Sequence, residues 1–246
     1  MTKIPSLTQL LEAGVHFGHQ SRRWNPKMKK YIFAQQAGIH VIDLEKTEEQ
    51  LKKAAEFINE TASRGGKVIF LATKKQTAEI VKAEAERAGA MYLTHRWLGG
   101  LFTNFDTVKK TLQKLTDSEE KLKDKDSGLT KREQVFLQRE IDKMIRSMGG
   151  IRNLERLPDA LFVIDSKKED NAIREANKME IPVVALVDTN ADPTKIDLPI
   201  PANDDAIKSV SLLVKTLADA YQAGQQVWQK KEAKEEKEKA KEAVTV

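Results

Sequence analysis

Between Gly14 and Tyr31 the chain reads GVHFGHQSRRWNPKMKKY, which sets five cations, Arg22, Arg23, Lys27, Lys29 and Lys30, around an aromatic ring and a proline. Such a set suits a polyanion. Guanidinium and ammonium groups neutralise phosphates and release their counterions, and Trp24 offers a flat face on which a base or a guanidinium can stack. Pro26 keeps the stretch from winding into one continuous helix, so the charges are carried on a shaped loop with Asn25 among them. Taken alone, the same residues also fit a solvated basic loop around a half-buried Trp.

Further along, Thr73-Lys74-Lys75-Gln76 joins an apolar run to a helical pattern, the place where α/β sheets present ligand loops. No glycine there admits a pyrophosphate, and neither a Walker pattern nor GxGxxG occurs, which disfavours a mononucleotide held by backbone amides. Lys74 and Lys75 read either as contacts to an RNA backbone or as solvated lysines. In His95-Arg96-Trp97-Leu98-Gly99-Gly100 and the following Leu101 to Phe105, Arg96 and Asn104 could face phosphate or sugar. Trp97 and Phe102 read as packing at the root of an insertion, and the glycines as a chain reversal.

Carboxylates gather late in the sequence. Asp188 ends an apolar run, Asp204 and Asp205 open the last helix, and His19 offers an imidazole nitrogen; such a set could hold zinc, or magnesium through oxygen alone. The same residues also read as structural: Asn203 or Asp204 as an N-cap, Asp188 as a turn acceptor. For catalysis the sequence offers no GxSxG elbow, no cysteine nucleophile and no clear carboxylate pair, and His16 and His19 fit core or loop positions equally well. The expectation is a protein that is not an enzyme.

With 246 residues, 40% hydrophobic and 32% charged, the chain can build a substantial core in one α/β domain with an appendage. It has no cysteine, which excludes disulfides and thiolate metal sites and is compatible with a reducing cytosol. MTKIPSLTQLLEAG lacks the form of a signal peptide, and no window approaches the roughly 18 apolar residues of a membrane span, so a cytoplasmic protein is expected. The net charge of +5 conceals a division: residues 1–110 hold 18 Lys and Arg against 11 Asp and Glu, whereas residues 159–205 hold 5 against 11. Two faces of opposite sign follow, a basic one for nucleic acid and an acidic one for a basic protein or a cation.

These residues need a frame, and the apolar runs supply it. Lys67–Ala72, Ala160–Asp165 and Pro182–Val187 read as buried parallel strands, with further strands at Gly38–Asp43 and Met91–Thr94. Helices are predicted at Glu45–Ala62, Gln76–Ala88, Glu169–Met179 and Asp204–Gln225, giving the β-α alternation of a doubly wound sheet. The alternation fails between Thr103 and Gly150. There Phe105, Val108, Leu112, Leu115 and Leu122, then Leu137, Ile141, Met144 and Met148, recur at heptad spacing on either side of the polar link Asp124–Gly128. Thr103 with Asp106, and Thr130 with Glu133, have capping-box spacing, which predicts an inserted antiparallel coiled-coil hairpin. Residues 1–102 and 151–227 thus form the sheet domain and 103–150 the hairpin. Residues 228–246, a Lys/Glu/Ala tract, form either a solvated helical extension or a disordered tail, with a frayed end as the default.

Read in order, Leu10 to Phe33, Gly38 to Thr47, Arg96 to Phe105, Leu157 to Asp165, Ile181 to Pro193 and Asn203 to Ile207 resemble the bacterial small-subunit ribosomal protein S2 family. The resemblance implies a flavodoxin-like sheet with a protruding coiled coil. It also implies a structural, non-catalytic component of the ribosome that binds small-subunit rRNA near the junction of head and body. Carried onto this chain, the family's basic loop falls on Arg22, Arg23, Trp24, Asn25, Lys27 and Lys29, and a second block on Arg96, Trp97 and Asn104. Neighbouring small-subunit proteins, and in some relatives ribosomal protein S1, are the implied protein partners. Ser166 stands where relatives often carry proline. Without the resemblance, a nucleotide-binding protein and a protein-interaction adaptor remain alternatives on the same sheet.

Overall fold

The computed structural model describes residues 3–124 and 128–244. Helix α1 (Leu7–Glu12) starts on a capping box between Ser6 and Gln9 and leads into three short strands, β1 (Phe17–Gln20), β2 (Ile32–Gln36) and β3 (Ile39–Ile42). These pair antiparallel in the order β1-β3-β2. The strand expected at Gly38–Asp43 therefore forms, but in a small separate sheet rather than in the parallel one.

Asp43 caps α2 (Leu44–Ser63) by accepting from the Glu45 amide. There follow β4 (Val68–Leu71), α3 (Lys75–Ala88), β5 (Met91–Leu93), α4 (Phe105–Lys123) and α5 (Lys131–Met148), then β6 (Ala160–Val163), α6 (Asp170–Lys178), β7 (Val183–Val187), β8 (Leu198–Pro201) and α7 (Ile207–Val244). Strands β4 to β8 form one parallel sheet in the order β5-β4-β6-β7-β8. This is the flavodoxin-like order, and its switch point lies between β4 and β6, where neighbouring connections leave in opposite directions.

Side-chain alternation divides the core in two. Val68, Phe70, Phe162, Val184 and Leu186 face one layer with Leu51, Val81 and Leu213; Ile69, Leu71, Leu161, Val163 and Val187 face the other with Ile173, Phe102 and Met28. Helices α2, α3 and α7 cover the first face, while α6 and the root of α4 and α5 cover the second. With both faces buried, each strand reads as a continuous apolar run, which is why β4, β6 and β7 stand out in the sequence. Strand β8 does not, because Pro199 and Pro201 argue against a strand; as the edge strand it needs no amide donors on its outer side.

Helices α4 and α5 bury Leu112, Leu115, Ile141 and Met148, so part of the heptad stripe does lie inward. Thr130 and Glu133 form their capping box. Thr103 does not: Asn104 occupies the cap position of α4, and the Thr103 hydroxyl turns to Glu175 instead. The link Asp124–Gly128 falls partly outside the described residues. Helix α7 continues from its buried stretch past Trp228, whose ring packs on Gly65, and through the charged tract to Val244.

Candidate nucleic-acid interface

Because the large sheet is parallel, the segments after β4, β5, β6, β7 and β8 all emerge at one edge, its carboxyl end. Lys74, Arg96, Ser166 to Lys168, Asp188 to Asp192, and Asn203 to Asp205 are thereby gathered from distant parts of the sequence.

The basic loop is laid across this edge and fastened to the segment after β7. Gly18 passes so close that a Cβ there would lie 2.5 Å from Thr189 Cγ2 and 2.9 Å from the His40 carbonyl oxygen. The His19 amide donates to Thr189 Oγ1 at 2.9 Å, and the Asn25 amide donates to the Thr189 carbonyl at 2.7 Å. Asn25 Oδ1 then accepts from the Lys27 amide, starting the 3-10 turn Pro26–Tyr31, whose Met28 and Tyr31 are buried in the second core layer. Pro26 fits the first turn of this short helix, where no amide donor is missed.

The cations of the loop are not equivalent. Lys27 Nζ is bound to Asp192 at 2.7 Å and to the Thr194 hydroxyl at 3.0 Å. Burial tends to raise the Asp192 pKa, but hydrogen bonds from Lys27 and Thr194 prevail and bring it down to about 2. Lys27 is thus a structural tie. Arg22, Arg23, Lys29 and Lys30 are exposed and make no ion pair among the described residues; Arg22 Nε donates to Gln20 Oε1, and Lys30 Nζ lies 4.7 Å from the Tyr31 ring centre. Trp24 is half-buried against His40, with ring centres 5.0 Å apart.

Lys74 points inward, unlike its neighbour Lys75, which is exposed. Its ammonium lies 2.8 Å from each of Asp165, Asp204 and Asp205. Burial alone would lower its pKa, but these carboxylates outweigh burial and hold it above the ordinary lysine value. Asp204, almost fully buried, is pushed up to about 7 by desolvation and by the charges of Asp188 and Asp165, and its Oδ2 has no hydrogen-bond partner among the described residues. His19 Nδ1 lies 3.0 Å from Asp188 Oδ2, and its Nε2 lies 3.5 Å from Asp205 Oδ2. The hydrogen bond to Asp188 raises the His19 pKa against a smaller effect of burial.

The four residues read as zinc or magnesium ligands, His19, Asp188, Asp204 and Asp205, are therefore neighbours, but the centre of the group belongs to an ammonium. Among the described residues no three or more His, Cys, Asp or Glu side chains are disposed to hold a metal ion. As arranged, with the Lys74 ammonium between Asp165, Asp204 and Asp205, the group does not fit zinc or magnesium.

The expected acidic face also takes a different form. Asp165, Asp188, Asp192, Asp204 and Asp205 serve Lys74, His19 and Lys27, while Asp170 serves Lys195 and Arg174. These six carboxylates are thus paired with cations of the same chain.

Arg96 and Asn104 belong to the connection between β5 and α4, and both are exposed. Glu175 of α6 shapes that connection: it accepts from Trp97 Nε1 at 3.0 Å and from the amides of Gly100, Phe102 and Thr103 at 2.9, 3.2 and 3.4 Å. Burial works to raise its pKa, and these donors more than offset that, holding it below the ordinary value. Trp97 packs edge-on against Phe102, the role expected for both. Sequence reasoning missed Glu175, since its partners are 72 to 78 residues away. It also passed over Lys167 and Lys168, a lysine pair directly after a buried strand, although Lys74-Lys75 carries the same signal.

No helix among the described residues is long and apolar enough to cross a membrane. Residues 10–224 match the profile of the family described as Ribosomal protein S2, and this span takes in the basic loop, the whole parallel sheet, α4 and α5. Fold order and profile agree, and the chain belongs to the ribosomal protein S2 family, structural proteins of the small ribosomal subunit.

Proposed function

We propose that the chain binds small-subunit rRNA with the carboxyl edge of its parallel sheet, near the junction of head and body, as a structural part of the cytoplasmic ribosome. The observation that carries this reading is the state of the loop cations: Arg22, Arg23, Lys29 and Lys30 are exposed and, among the described residues, free of ion pairs, yet the backbone beneath them is fixed by Thr189. Fixed positive charges neutralise phosphates without first giving up a protein partner. Lys75, Arg96 and Asn104 extend the same edge, with Trp24 as a stacking surface. Lys27 and Lys74 hold the loop and the strand ends in place. A divalent cation would enter this reading only by displacing Lys74 from Asp204 and Asp205.

Neighbouring small-subunit proteins are the natural partners of α5, which exposes Val135, Phe136 and Ile145. Ribosomal protein S1 belongs to the same proposal. Sedimentation tests the whole reading: tagged chain should migrate with small subunits, and recovery only in free fractions would overturn it.

A further inference from the structure

Beside the basic loop, two contiguous clefts open at the carboxyl ends of β6 and β7. The smaller, of about 250 Å³, is lined in part by Asn25, Ser166, Lys167, Asn190 and Asp192. The larger, of about 510 Å³, shares Lys167 and Asn190 and adds Arg23, Lys168, His19 and Asp205. Ser166 is 5% exposed, yet its hydroxyl has no hydrogen-bond partner among the described residues, and Asn190 Oδ1 is likewise buried without one. A buried polar atom left unpaired costs free energy that a ligand can recover. The carboxylates along the clefts are already committed, Asp165 and Asp205 to Lys74, Asp192 to Lys27 and Asp170 to Lys195. Arg23, Lys167 and Lys168 make no ion pair among the described residues. The open chemistry is thus two neutral hydrogen-bonding groups on the wall of the smaller cleft and three cations on the wall of the larger one beside it.

We propose that these clefts take one unpaired nucleotide, its base in the smaller cleft against Ser166 Oγ and Asn190 Oδ1, and its phosphate over Arg23, Lys167 and Lys168. Bases extruded from single-stranded RNA are read at their edges in this way. An exocyclic amine of adenine or cytosine donates to Asn190 Oδ1, and the Ser166 hydroxyl donates to the adjoining ring nitrogen. Adenine and cytosine are therefore favoured over uracil. The nucleotide can belong to rRNA, in which case the inference rests on the function proposed above, or be free.

The full chain is tested against a small-subunit rRNA fragment and, separately, against AMP and UMP. Replacing Ser166→Ala together with Asn190→Ala should weaken rRNA binding about tenfold while leaving its salt slope unchanged, since every cation that meets a phosphate is still in place. Lys167→Gln with Lys168→Gln should flatten that slope. Photocrosslinking of the unsubstituted chain to rRNA, which does not depend on a variant folding, should mark residues 166–168 or 188–191. AMP binding without rRNA binding would keep the cleft, assign it a free nucleotide and defeat the rRNA reading. Affinity of the Ser166→Ala/Asn190→Ala chain within twofold of the unsubstituted chain, crosslinks confined to residues 21–31 and no AMP binding would overturn the cleft and leave the rRNA reading intact.

Discussion

Glu175 makes no ion pair among the described residues, yet one carboxylate gathers the Trp97 indole, three backbone amides and the Thr103 hydroxyl. It does for the β5–α4 connection what a bound anion would do, and it fixes the segment that carries Arg96 and Asn104. Replacing Glu175→Gln keeps the shape but puts an amide nitrogen in front of backbone donors, and should cost about 1–3 kcal/mol. The pH dependence has a definite sign. The folded pKa of Glu175 lies below the ordinary 4.5, so its stabilisation is fully present above that value and is lost as pH falls through the folded value. The gap in melting temperature between the unsubstituted chain and the variant should be widest near neutrality and narrow on acidification below about pH 4.5. A gap that stays constant down to acidic pH would mean that the ionised carboxylate is not what organises the loop.

The elements explain which parts of this architecture were readable beforehand. Strands β4, β6 and β7 are buried on both faces and announce themselves as apolar runs; β1 and β2 belong to a small sheet with one face in water, and Phe33, 77% exposed, gives β2 no inward pattern. Strand β8 was hidden by its two prolines, which an edge position tolerates. The candidate site was legible as a charge pattern, in Arg22 to Lys30. It was not legible as a division of labour, because Lys27 and Lys74 acquire their partners from segments more than 90 residues away, and only the fold decides which cations remain free. The close crossing of β1 over the segment after β7 carries a prediction of its own. Gly18→Ala would drive a methyl group into Thr189 and the His40 carbonyl, costing about 1–3 kcal/mol and loosening the basic loop. Thermal melting should register the loss, and rRNA affinity should fall although no charge has changed. Unaltered affinity would show that the loop does not need this anchorage.

Taken as a whole, the molecule uses its uneven charge in two ways. Asp165, Asp192, Asp204 and Asp205 of the acidic stretch are paired with Lys74 and Lys27, and this leaves Arg22, Arg23, Lys29 and Lys30 without ion-pair partners among the described residues. A sheet order that collects the ends of β4 to β8 at one edge, with the basic loop drawn over it, then gives an exposed set of cations on a protein of only modest net charge. That set is the centre of the account, and the salt dependence of rRNA binding addresses it most directly. With Arg22, Arg23, Lys29 and Lys30 all replaced by glutamine, the slope of log affinity against log salt should shrink by about 0.7 to 0.9 for each phosphate no longer neutralised, while the melting temperature stays near that of the unsubstituted chain. A slope unchanged by the four replacements, in a folded protein that still binds, would contradict it.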